Sequence, residues 1–142
     1  RRNETDADLM DIDINIHEAE CALAHLHDWI KPRREATPIV MEPGHVRVRR
    51  DPLGVTLVIG AWNEPFMLTL GPLVSAIAAG NTAVVKPSEV SEASAAVVAE
   101  MIPKYLDPNA VAVVTGAVPE TTALLEQSTG VPSNWVARSE AP

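Results

Sequence analysis

Apolar residues follow two different rhythms along the chain. Over residues 5–30, Leu9, Ile12, Ile16, Ala19, Leu23, Leu26 and Ile30 recur at alternating steps of three and four, which places them on one face of an amphipathic helix. Thr5 followed by Asp8 resembles a capping box, and the early acids suit the positive end of a helix dipole. Pro32 stops the run. The spacing would also suit a coiled-coil seam, but under four heptads favours ordinary packing.

Over residues 31–44, Pro32, Pro38, Pro43 and Gly44 mark a connector. "HVRVRR" (45–50) alternates apolar and basic residues, as a half-exposed strand does. After a turn at Asp51-Pro52-Leu53-Gly54 the second rhythm begins. "VTLVIG" (55–60), "TAVVK" (82–86) and "AVAVVTG" (110–116) are short apolar runs rich in β-branched residues, the pattern of buried strands. Between them lie a largely apolar helix over 66–80 closed by Gly80-Asn81, and a helix from Ser91 to about Pro103. A further helix follows over 119–127. Strands alternating with helices predict right-handed β-α-β units and a parallel sheet, whose ligands gather at the carboxyl ends of the strands.

The expected fold is therefore α/β: an N-terminal helix and β-hairpin, then part of a parallel, Rossmann-like sheet. Residues 1–50 form the helix, connector and hairpin strand, and 51–127 the partial α/β domain. In 128–142, "STGVPSNWVARSEAP" shows neither rhythm and is expected to be an irregular tail. A net charge of −8 argues against nucleic acid or an anionic membrane as partner. The acids crowd into the first thirty residues, and the basic run from Lys31 to Arg50 reads as a solvated hairpin or a subunit contact. One cysteine, no basic-then-apolar leader and no membrane-length apolar stretch lead to the expectation of a cytoplasmic protein.

Three clusters could carry chemistry. The glycine fingerprint G-x-G-x-x-G is absent, so an ordinary dinucleotide site is not expected. Lys86 and Glu89 offer another route, since an ammonium and a carboxylate together can hold the vicinal hydroxyls of a ribose. Such a carboxylate would also repel a 2′-phosphate, favouring NAD over NADP. From spacing alone, a plain helix start with Glu89 capping the Ser88–Ser91 turn is the stronger account. Asn63 can donate to a developing oxyanion, although a turn residue before Glu64-Pro65 explains it as well. His17, Cys21 and His25 recur every four residues and could line up as metal ligands, but a fourth ligand is not evident and no metal site is expected. Cys21 stands beside Glu18 and Glu20, which disfavour a thiolate.

Taken in order, "DPLGVTLVIGAWNEPFMLTLGPLVSAIAAGNTAVVKPSEVSE" and "VVTGAVPETTALLEQ" resemble the aldehyde dehydrogenase superfamily, above all its class 3 branch. The likeness spans roughly residues 5–127. It implies NAD(P)-dependent oxidation of an aldehyde to an acid, through attack by a cysteine thiolate and hydrolysis assisted by a glutamate. By motif, Asn63 would be the oxyanion donor, and Lys86, Ser88 and Glu89 would serve the adenosine ribose of NAD, or of NADP. Ile59, Gly60, Ala61 and Trp62 would form the backbone wall along the cofactor. Gly116, Val118 and Pro119 would lie near the adenine.

Three departures accompany the likeness. Glu64 stands where the family has an aromatic, and the expected "FTGS" strand end does not follow "TTALLEQ". The segments bearing the catalytic cysteine and glutamate are missing, and Cys21 sits in the wrong segment to replace the first. The expectation is a truncated N-terminal fragment, produced by a frameshift, an early stop or a split gene, and inactive alone. The alternatives are an interaction module pairing with itself, a paralogue or a split partner, and a non-functional remnant.

Overall fold

The computed structural model describes Asn3, residues 8–127 and Ala137–Arg138. The N-terminal rhythm yields helix in two forms, a π-helical stretch over Asp8–Asp13 and an α-helix, α1, over Ile14–Trp29. Its facing corrects the expectation. Leu9, Ile12, Ile16, Leu23 and Ile30 are exposed, Ala19 and Leu26 are half-buried, and the residues turned inward are Asp11 and Asn15. Two physical causes account for this. A π turn holds more residues than an α turn, so the phase of the apolar stripe slips where one passes into the other. The surface beneath is also the start of another helix, whose free N–H groups call for acceptors rather than methyl groups. Thr5, half of the expected capping box, lies outside the described residues.

The expected hairpin is present, its first strand lying in the stretch read as a connector. Arg33–Glu35 (β1) pairs antiparallel with Val46–Val48 (β2), Arg34 opposite Arg47. Three consecutive charged residues carry no alternation to read, and pairing alone makes them a strand. Ile39 and Val40, in a 3-10 turn over Ile39–Met41, are 90% exposed.

The second half follows the expected order closely. Val55–Ile59 (β3) leads through a loop to helix α2 (Met67–Ala78), then Thr82–Lys86 (β4), helix α3 (Glu92–Tyr105), Val111–Val113 (β5) and helix α4 (Val118–Gln127). Helix α3 runs past Pro103 by two residues, although the proline gives up one bond to the preceding turn. Helix α2 ends in a Schellman motif, with Gly80 at φ 82 and Asn81 N–H reaching back to the Ala76 carbonyl at 3.0 Å. The Asn81 side chain accepts from the amides of Leu53 and Gly54 at 2.7 and 3.0 Å, tying the end of α2 to the turn that opens β3.

All strands of the larger sheet are parallel, in the order β5-β4-β3-β6, where β6 is Ala137–Arg138 set beside Val58–Ile59. That pair is the one part of 128–142 within the described residues. The core lies on one face, where Val58, Ala83, Val85 and Val111 meet Leu73 of α2 and Val98 and Ile102 of α3. Fully burying side chains such as Val58 and Val85 stabilises by about 1.5–3 kcal/mol each. Strand alternation sends Leu57, Val84 and Lys86 to the opposite face. Because β4 and β5 lie on one side of β3 and β6 on the other, strand order reverses at β3. Open α/β sheets bind ligands at the carboxyl end of such a reversal.

Candidate functional site

Register brings the three rims level. Ile59 pairs with Lys86, and Val85 with Val113. Gly60 N–H donates to the Lys86 carbonyl at 2.9 Å, and Val114 N–H to that of Val85 at 2.9 Å. Just beyond these bonds stand the residues singled out from the sequence. Gly60 is buried, Ile59, Ala61 and Asn63 are half-buried, and Trp62 is exposed. Gly60 is a point of close approach: a Cβ there would overlap Thr69 Oγ1 and come within 3.6 Å of Pro87 Cα. On the third rim, Gly116 takes φ 146, while Val118 and Pro119 are exposed at the start of α4.

The Lys86–Glu89 pair is the most constrained feature of this rim. Lys86 is 2% exposed, and its Nζ lies 2.5 Å from Glu89 Oε2, whose side chain is 42% exposed. The hydrogen bond from Lys86 holds the Glu89 carboxyl below its ordinary value, its own backbone amide lowers it further, and burial opposes both. Ser88, buried, accepts from Val90 N–H at 3.3 Å, and it is Ser88 rather than Glu89 that caps the 3-10 turn Glu89–Ser91. Glu89 is thereby left to its bond with Lys86. Glu120 accepts from Ala117 N–H at 2.8 Å across the start of α4, and the amides of Glu120 and Ala117 hold its carboxyl below the usual range. The Lys86 charge lowers it too, a weaker effect.

Asn63 Oδ1 is buried with no hydrogen-bond partner among the described residues, as are Thr69 Oγ1 and Asn15 Oδ1. A buried, unsatisfied carboxamide in a loop at a sheet rim is a position that a ligand or water can complete. Cys21 does not belong to this site. It is exposed on α1, with His25 Nδ1 2.9 Å from its carbonyl and 3.7 Å from its Sγ, and it lines a recess with Val74, Ser75 and Ala78. That recess lies at the far end of α2, roughly 13 Å of helix from the loop holding Asn63. His25 stacks on Trp29 with ring centres 5.9 Å apart, and among the described residues no three His, Cys, Asp or Glu side chains converge as a metal site would require.

Sequence reasoning overlooked Asp11. Its Oδ1 accepts from Phe66 N–H at 3.1 Å and Met67 N–H at 2.7 Å, the first free amides of α2. An acid among many near the N-terminus gives no sign that its partner lies 55 residues on.

The profile of the aldehyde dehydrogenase family matches residues 3–133. An aldehyde dehydrogenase of Craterostigma plantagineum is 43% identical over 127 residues, covering 89% of this chain and 26% of its own length. Aldehyde dehydrogenase family 3 member A2 of Mus musculus is 48% identical over 110 residues, 78% of this chain and 23% of that one. The substrate-bound structure of Staphylococcus aureus AldH superposes with a TM-score of 0.85 at 35% identity, over 87% of this chain and 27% of its own. The chain thus spans about a quarter of the length of the relatives it matches. No described helix is long and apolar enough to cross a membrane. With the motifs, the level strand rims and these likenesses in agreement, the chain belongs to the aldehyde dehydrogenase family and resembles the N-terminal part of its class 3 members.

Proposed function

We propose that these residues form the ribose-binding and oxyanion-binding portion of an NAD(P)-dependent aldehyde dehydrogenase. The observation that carries the reading is the buried Lys86 bonded to a half-exposed Glu89 at the carboxyl end of β4, level with the end of β3 where strand order reverses. An ammonium and a carboxylate side by side offer a donor and an acceptor to neighbouring hydroxyls. Ser88 completes the turn that presents them, Ile59 to Trp62 run along the cofactor, and Gly116, Val118 and Pro119 border the adenine. When bound, the nicotinamide accepts hydride. Asn63 donates its amide N–H to the oxyanion that forms as a thiolate supplied from outside these residues attacks the aldehyde, a contact worth about 3 kcal/mol of barrier. The exposed Glu89 carboxylate favours NAD over NADP by repelling a 2′-phosphate. A reducing, cytoplasmic setting fits the free Cys21.

These 142 residues alone do not turn over substrate, since Cys21, the single thiol, lines a recess at the far end of α2 from the Asn63 loop. Saturation-transfer NMR with NAD tests the reading: the adenosine ribose protons receive saturation from the chain, and Glu89→Gln removes the effect. Ribose signals that stay silent, or that Glu89→Gln leaves unchanged, refute it. A second reading, an interaction module, is favoured by the exposed Ile16, Leu23 and Ile30, which share one side of α1. It predicts association with a second copy or a paralogue, and sedimentation showing a monomer that also ignores the paralogue removes it.

A further inference from the structure

The geometry points to Asp11 as the positioning residue of the Asn63 loop, which it holds by capping helix α2 from a remote part of the chain. The functional consequence rests on the oxyanion reading of Asn63; the cap itself does not. Helix α2 has no cap of its own. Its N-cap residue, Phe66, has no acceptor side chain, and Pro65 before it has no N–H. The free amides of Phe66 and Met67 converge instead on one oxygen, Asp11 Oδ1. Asp11 is 4% exposed, and its own carbonyl accepts from Asn15 Nδ2 at 2.7 Å across the passage from π-helix to α1. Two amides sharing one acceptor fix the direction of the first turn, and the carboxylate charge sits at the positive end of α2.

Asn63 stands three residues before this clamp. Glu64, its neighbour, is bound to the same turn through its carbonyl, which accepts from Leu68 N–H at 2.9 Å. Asn63 Oδ1 has no partner among the described residues, so that oxygen does not anchor the loop. Backbone placement comes from Gly60, bonded to the Lys86 carbonyl on one side, and on the other from the turn that follows, which Asp11 pins.

Proton–nitrogen NMR of the 142-residue chain tests the cap. Asp11→Ala moves the amide resonances of Phe66 and Met67 and the side-chain NH2 pair of Asn63, and the two backbone amides exchange roughly threefold to thirtyfold faster. Asp11→Asn, which keeps an Oδ1 acceptor, restores the shifts most of the way. A folded Asp11→Ala chain with these signals unmoved overturns the proposal, and so does an Asp11→Asn chain that loses them. Should Asp11→Ala fail to fold, Asp11→Asn alone decides in the same way. In a dehydrogenase assembled with this chain, Asp11→Ala lowers kcat with little change in the KM for aldehyde. If Asn63→Ala leaves turnover intact while the Asp11→Ala shifts appear, the oxyanion role fails and the positioning stands.

Discussion

Truncating Glu89 and truncating Lys86 break the same bond, yet the structure predicts unequal losses of stability. Glu89→Ala leaves the Lys86 ammonium 2% exposed and without its hydrogen-bonded carboxylate. Stranding one member of a fully buried pair costs about 3–5 kcal/mol, while exposed pairs are worth about 0–1 kcal/mol. Here one partner is buried and the other side chain is 42% exposed. A cost near 2 kcal/mol follows, or about 6 °C in Tm for a domain of this size. Lys86→Met removes the charge that needed company and leaves a carboxylate that water can reach, so it costs about 1 kcal/mol or less. Urea unfolding of both single variants and the double variant measures this. The double variant should match Lys86→Met, because stability lost by stranding the cation returns once the cation is gone. Equal losses for the two single variants, or a double variant as unstable as their sum, refute the account. All three should abolish ribose saturation by NAD, which separates binding from folding.

Two further expectations concern the rims. Glu89 and Glu120 are both held below their ordinary 4.5, Glu89 chiefly by Lys86 and Glu120 by backbone amides. A carboxyl with a lowered folded value stabilises above its unfolded value, and that contribution fades as pH falls through the folded one. Thermal melts should therefore lose midpoint as pH drops below about 4.5, and a Glu89→Gln, Glu120→Gln double variant should lose less over the same range. Gly60→Ala drives a Cβ into Thr69 Oγ1 and should cost about 1–3 kcal/mol in unfolding experiments. Thr69→Ala, which removes a buried hydroxyl with no partner among the described residues, should recover much of that loss; no recovery would mean the clash lies elsewhere.

Much of the sheet was legible because its signals are local. "TAVVK" is a strand over the same five residues it occupies, and Gly80-Asn81 closes α2 with the cap those residue types favour. The site was legible in part, for a related reason: strands that run parallel and in register bring their following loops together, whatever their separation in sequence. The exchange of roles between Ser88 and Glu89 was not legible. Both can accept from the turn, and only the reach of the Lys86 ammonium from the end of β4 decides which is engaged elsewhere. Asn81 could be read as a helix stop, but not as the clasp on Leu53 and Gly54.

The N-terminal helix exposes the limit of reading periodicity. A stripe such as Leu9, Ile12, Ile16, Leu23 and Ile30 records that apolar surface recurs on one side, not what covers it. Within these residues Asp11 bonds the first amides of α2, because a helix start demands acceptors, while further along the small residue Ala22 lines a recess with Val74 and Ala78 of α2. Two selections therefore act on one helical segment: Asp11 serves the turn that follows the Asn63 loop, and Ile16, Leu23 and Ile30 are left exposed for another surface. The division can be tested. Ile16→Glu and Leu23→Glu should leave the Phe66 and Met67 amide shifts and the unfolding midpoint of the isolated chain nearly unchanged, since both residues are already exposed, at 52% and 77%. The same changes should weaken association with a second copy or a paralogue. Destabilised monomers would show instead that the apolar stripe is packed within this chain.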